Sequence, residues 1–150
     1  EFRRVLFRSA AKKSNSTRRI FLITGDGELA EGSNWEAALA AAHYGLDNLV
    51  IINDKNNLQL AGPTREIMNT DPLADKWKAF GMTVTECQGN DMSSVVAAIE
   101  GLKQEGKPNV IIANTTKGAG ISFIQGRPEW HHRVPKGEEI ALALEELKDE

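Results

Sequence analysis

Residues 20–63 read IFLITGDGELAEGSNWEAALAAAHYGLDNLVIINDKNNLQLAGP, and this stretch decides the fold. Two short apolar runs, residues 20–23 and 49–52, are rich in isoleucine and bounded by Gly, Asn and Asp, the pattern of buried strands. The intervening segment predicts a helix. Ser33 and Glu36 have the spacing of a capping box, with Ser33 as N-cap, and Gly45 supplies a stop after Tyr44. Two parallel strands joined by a helix send both of their following loops to the carboxyl edge of the sheet, where open α/β sheets bind ligands. Those loops are Gly25-Asp26-Gly27 and residues 53–57, NDKNN. A carboxylate and clustered amides beside exposed backbone N–H groups suit a divalent cation that holds a diphosphate. The plainer reading of Asp26 is a turn residue between glycines.

Outward from this unit the alternation continues. Leu58-Gln59-Leu60 predicts a short extended piece ended by Gly62-Pro63. Asp71-Pro72 has the form of an N-cap followed by a first-turn proline, with Leu73, Trp77 and Phe80 on the apolar face of the helix. Residues 82–86 predict a third strand. Val95, Ile99 and Leu102 share one face of a helix ending near Gly106-Lys107-Pro108, and residues 110–113 predict a fourth strand. A loop with Gly118, Gly120, Gly126 and Pro128 leads to Trp130-His131-His132. A last helix, about residues 138–148, turns Ile140, Leu144 and Leu147 inward. The resulting class is α/β, a parallel twisted sheet with helices on both faces. The alanines at 37, 38, 40, 41 and 42 make a slim helix that either packs against a neighbouring subunit or enters this chain's own core. His43 on that helix reads as a core or interface residue.

Bulk properties narrow the function. The chain has 150 residues, enough for one domain with a core, and is 41% hydrophobic and 26% charged. A formal net charge of −3 gives no basic field for nucleic acid or an anionic membrane. Cys87 is the single cysteine, which favours a reducing, cytoplasmic setting over a disulfide-bonded one. No apolar run approaches the roughly 18 residues that span a bilayer. Residues 1–9, EFRRVLFRS, have no clean period. They read either as the translated remnant of a sequencing adapter or as part of a disordered basic leader over residues 1–17, with a partial domain over 18–150.

Gly25-Asp26-Gly27 followed about thirty residues later by Asn56 resembles the signature of thiamin-diphosphate enzymes. The blocks GDGELAEG, WEAALAAAHYGLDNL, LADKWKAFG, KGAGISF and EWHH resemble transketolase, most of all the amino-terminal subunit of transketolases split into two chains. The resemblance implies a thiamin-diphosphate-binding fold that carries thiamin diphosphate and Mg²⁺ (or Ca²⁺). It also implies transfer of a two-carbon ketol unit between sugar phosphates, from a ketose phosphate to an aldose phosphate. By the same resemblance Asp26, Asn56 and the carbonyl of Leu58 hold the metal. Gly25 and Gly27 lie on the diphosphate, and Lys117 lies in a loop near the thiazolium. His131 stands near the diphosphate and the reacting centre. Glu31 and Glu36 match two acids of a proton-relay network between paired active sites. The family's amino-terminal part is expected to lie upstream of this chain. Its pyrimidine-binding domain or carboxyl-terminal subunit is expected as a partner, in a dimer of such pairs, without which the chain is inactive.

Each assignment has a plainer competitor. Glu36 is also explained by the capping box, Lys117 by a solvated surface position, and His131 by an exposed loop. His132 stands where relatives often have glycine, Asn57 likewise, and Ala61 where they often have aspartate. Two rival activities are a 1-deoxyxylulose-5-phosphate synthase-like enzyme and a NAD-binding Rossmann domain. The latter rests on Gly25-x-Gly27-x-x-Ala30 with Asp47 and Asp54 downstream. A helix starting at Ser33 opposes it, because the dinucleotide fingerprint needs the helix to begin inside the motif.

Overall fold

The computed structural model describes residues 11, 12, 14, 16–60 and 62–148, so Ala61 and most of the leader lie outside the described residues. Within the leader, Lys12 approaches the Gly45 carbonyl and the Asp47 carboxylate, and Ala11 is buried.

Four strands form one parallel sheet: β1 (Ile20–Gly25), β2 (Leu49–Lys55), β5 (Thr83–Gln88) and β6 (Asn109–Asn114), in the order β1-β2-β6-β5. A separate two-residue hairpin pairs β3 (Leu58–Gln59) with β4 (Gly62–Pro63). The helices are α1 (Gly32–His43), α2 (Thr64–Ile67), α3 (Leu73–Ala79), α4 (Met92–Glu100) and α5 (Glu138–Glu146). The expected α/β class, with helices on both faces of a parallel sheet, is what the chain adopts.

Parallel strands bury both faces, which is why β2 and β6 are near-continuous apolar runs. On one face Leu22, Ile51, Val110 and Ile112 meet Leu29, Ala38, Ala41, Leu73 and Trp77. Trp77 is 1% exposed, and Trp35 lies against both Trp77 and Phe80, with ring centroids 4.9 and 5.4 Å apart. On the other face Val50, Cys87, Ile111 and Ala113 meet Ala98 of α4, flanked by Val95, Ile99 and Leu102. Ala38 and Ala41 bring α1 down onto this chain's own sheet, so the slim side of the helix is used at home. His43 is exposed and lies edge-on to Tyr44; within this chain it is not a core residue.

Several local expectations need correction. α1 begins at Gly32 with Glu31 in the cap position, and no side chain caps it; Ser33 is inside the helix and the capping box does not form. A 3₁₀ turn, Glu28–Ala30, runs almost directly into α1. Its carbonyls take the Asn34 amide (Nδ2 to Glu28 O, 2.5 Å) and the Trp35 indole (to Leu29 O, 3.0 Å), which sets the helix start earlier. α3 starts at Leu73 with Pro72 in the cap position, and Asp71 pairs with Lys55 at 2.8 Å rather than capping strongly. α4 ends at Glu100, not near Gly106; Leu102 packs from the following loop. The third strand begins at Thr83 and extends to Gln88. α5 differs most: Ile140, Leu144 and Leu147 are 49%, 58% and 46% exposed, and only Ala143 is buried. Helical period identifies an apolar face but not what it packs against; among the described residues nothing covers that face.

Candidate functional site

Register brings the site together. Gly25 at the end of β1 stands opposite Asp54 of β2, and Lys55 stands opposite Asn114 at the end of β6. Three strands therefore release their loops at one carboxyl rim. These loops and the 3₁₀ turn Pro128–His131 surround a cleft of about 470 Å³. Gly25, Asp26, Gly27, Glu31, Asn56, Leu58, Lys117 and His131 all line it. Glu36 does not: it is exposed one turn along α1, and the capping role expected for it does not form. Asp54, already placed in the second loop from the sequence, also lines the cleft, and so do Glu28, Gln59 and Leu60, which went unrecognised there. Gln59 and Leu60 become visible only once the β3–β4 hairpin folds back.

Asp26 is 3% exposed, an unusual place for a carboxylate. Its Oδ2 accepts the Asn57 N–H at 2.5 Å, and Asn57 reaches that position with φ of 60°, a left-handed conformation asparagine tolerates well. Burial pushes the Asp26 pKa up, and the Asp54 charge adds to the rise. The N–H groups of Asn57 and Asn56, and Lys55, pull the other way. Asn56 Oδ1 accepts the Leu58 N–H at 2.9 Å, which turns the amide and the Leu58 backbone into one compact corner. Lys55 itself is held by Asp71, so among the described residues no cationic side chain pairs with Asp26.

A buried carboxylate with a raised pKa and no ion-pair partner fits a hard cation better than solvent. One carboxylate, one amide oxygen and one backbone carbonyl are the oxygen donors such an ion takes. Among the described residues no group of three or more His, Cys, Asp or Glu side chains could hold a metal alone. A cation here would therefore depend on the amide and carbonyl oxygens. Gly27 has an ordinary φ of −66°, so left-handed backbone is not why glycine is there. A Cβ at that position would lie 3.0 Å from Gln59 Cγ; the missing side chain is replaced by Gln59, whose Oε1 is buried without a partner.

Across the cleft Lys117 Nζ lies 3.2 Å from His131 Nδ1. The Lys117 charge, then desolvation and His132, hold the His131 pKa below its usual value. Behind the rim, Asn53 donates to Thr24 within the sheet, and Thr115 donates to Asp54.

The dinucleotide reading loses its geometry. α1 starts beyond Ala30, and Asp47, one of its two downstream acids, lies near the opposite end of the sheet, bonded to the Gly106 N–H.

Comparison with known proteins agrees. The chain is 72% identical over 141 residues to an apulose-4-phosphate transketolase subunit of Actinobacillus succinogenes, covering 94% of this chain and 51% of that protein. It is 39% identical over 142 residues to 6-deoxy-6-sulfo-D-fructose transketolase subunit SqwG of a Clostridium species, covering 94% and 52%. The fold superposes on the crystal structure of transketolase from Campylobacter jejuni with a TM-score of 0.87 and 32% identity, covering 94% of this chain and 23% of that one. The chain thus spans about half the length of the curated relatives it matches. The family described as "Transketolase, thiamine diphosphate binding domain" matches residues 4–148, and the chain belongs to the transketolase family through that domain.

Proposed function

We propose that this chain supplies the diphosphate- and metal-binding half of a two-part transketolase, acting on sugar phosphates. The observation that carries the reading is Asp26, a buried carboxylate with no ion-pair partner among the described residues, clamped to the Asn56–Leu58 corner at the rim of the sheet. Asp26, Asn56 and the Leu58 carbonyl would hold Mg²⁺ or Ca²⁺, and the backbone of Gly25 and Gly27 would meet the diphosphate. Thiamin diphosphate, when bound, supplies the carbanion chemistry that moves a two-carbon ketol unit from a ketose phosphate to an aldose phosphate. His131 can donate a hydrogen bond to phosphate or substrate oxygen, and Glu31 offers a carboxylate on the same wall.

The pyrimidine end of the cofactor is left to a partner: a pyrimidine-binding subunit, in a dimer of such pairs, working in the cytoplasm. The names of the relatives, which describe them as transketolase subunits, support a divided enzyme and make apulose 4-phosphate the first donor to assay. Calorimetric titration of thiamin diphosphate in Mg²⁺ and in EDTA tests the reading. Metal-dependent binding, lost in Asp26→Ala, is expected; metal-independent binding would refute it. Ketol transfer is expected only after the pyrimidine-binding partner is added.

A further inference from the structure

Lys117, in the loop after β6, and His131, in the 3₁₀ turn fourteen residues further along the same connection, meet at one wall of the cleft. A lysine ammonium carries three donors and no acceptor, whereas a neutral imidazole has one donor nitrogen and one acceptor. The 3.2 Å contact is to Nδ1, so that nitrogen must be the acceptor. The ring proton is then on Nε2, the nitrogen not engaged by Lys117.

We propose that Lys117 is a positioning residue that fixes His131 as the neutral, Nε2-protonated tautomer, so that the ring offers a single N–H donor to an oxygen of the ligand. This deepens the function proposed above and rests on it only for the identity of that oxygen; the tautomer belongs to the chain itself. A neutral N–H donor can polarise a phosphate or carbonyl oxygen without giving up a full proton, which suits a site that must release its product. Two contacts of the Lys117 loop support the geometry. Gly118, with φ of 68°, turns the chain directly after Lys117, and a Cβ there would strike Ile124 at 2.4 Å. Ser122 is gripped through its N–H and hydroxyl by the Glu146 carboxylate of α5, at 2.5 and 2.6 Å. The Lys117 loop is thus tied at both its turn and its far side. Other charged groups can bias the ring: His132 packs edge-on against it, with centroids 4.4 Å apart, and Glu28, Glu31, Asp26 and Asp54 share the cleft.

The test is nitrogen NMR of the full chain labelled with ¹⁵N-histidine, with no cofactor present. The expected result at neutral pH is a His131 spectrum dominated by protonated Nε2 and bare Nδ1. Lys117→Arg, also a donor-only cation, should preserve it. Lys117→Met should let the ring relax toward the mixture of free imidazole and raise its pKa. Lys117→Glu, which offers an acceptor, should invert the pattern to protonated Nδ1 and raise the pKa further. A merely structural lysine would leave all four spectra alike once folding is checked by the dispersion of the His43 signals. A wild-type His131 protonated on Nδ1, or a Lys117→Glu spectrum unchanged from wild type, would overturn the assignment. Because no cofactor is used, failure here is separable from failure of thiamin diphosphate to bind.

Discussion

The parallel sheet has a cleft at each end, and the two are close in size. The carboxyl-end cleft is about 470 Å³; the amino-end one, lined by Thr17, Arg19, Asp47, Leu102 and Asn109 among others, is about 440 Å³. Volume therefore says nothing about which is functional. What differs is the state of the polar groups. At the amino end Asp47 takes Lys12 and the Gly106 N–H, and Asn109 donates to the carbonyls of Asp47 and Lys103. At the carboxyl end, among the described residues, Asp26 is buried without an ion pair and Gln59 Oε1 has no partner. The amino-end acid is already engaged by a cation, while among the described residues the carboxyl-end acid is not. Sheet polarity, which places strand-end loops at a single rim, agrees with that division.

The contrast is breakable by mutation. Asp26→Ala should reduce metal-dependent cofactor affinity by roughly 100-fold or more, since even groups behind a metal's ligands cost about 10- to 100-fold; unchanged calorimetric affinity would erase the difference between the clefts. Asp26 also gives the contrast a pH signature. Its folded pKa is raised, so its contribution to apo stability is fully present below the unfolded value and is lost as pH rises through the raised folded value. Cation binding, which needs the carboxylate, should weaken as pH falls through that same range. Asp26→Asn should remove both trends in urea melts and titrations taken across pH. At the other end, Asp47→Ala should lower stability by about 1 kcal/mol through the lost backbone and partly exposed lysine contacts, with cofactor affinity unchanged.

Smaller effects sharpen the picture. Gly27→Ala should cost about 1 kcal/mol, because its Cβ must displace Gln59. Combining it with Gln59→Ala should recover most of that loss in denaturant melts, and strict additivity would show that the two do not share the space. Smallest of all, Leu144→Gln on the exposed side of α5 should shift this chain's stability by no more than about 0.5 kcal/mol. A loss of several times that would restore the inward placement expected from helical period.

Particular residues show where sequence reading stopped. Ser33 and Glu36 had the spacing of a capping box, yet the preceding 3₁₀ turn offered carbonyls to Asn34 and Trp35 and moved the start of α1. Capping is a competition among nearby donors and acceptors, and spacing alone does not decide it. Ile140, Leu144 and Leu147 kept the right period but have no surface to meet among the described residues. Gln59 entered the site through a hairpin that brings it over Gly27, a contact across more than thirty residues that no local pattern announces.

The alternation of apolar runs with helical stretches, and the glycine and asparagine residues that end those runs, were enough by themselves to settle a parallel α/β sheet and to put Asp26 and Asn56 at its carboxyl rim. These are consequences of backbone geometry and strand direction, both written locally. Tertiary structure alone decided that Asp26 is buried with no ion pair among the described residues, that Lys117 meets Nδ1 of His131, and that Glu36 stands outside the cleft. Those outcomes depend on desolvation and on distances between segments far apart in the chain, and both come into being only when the sheet closes.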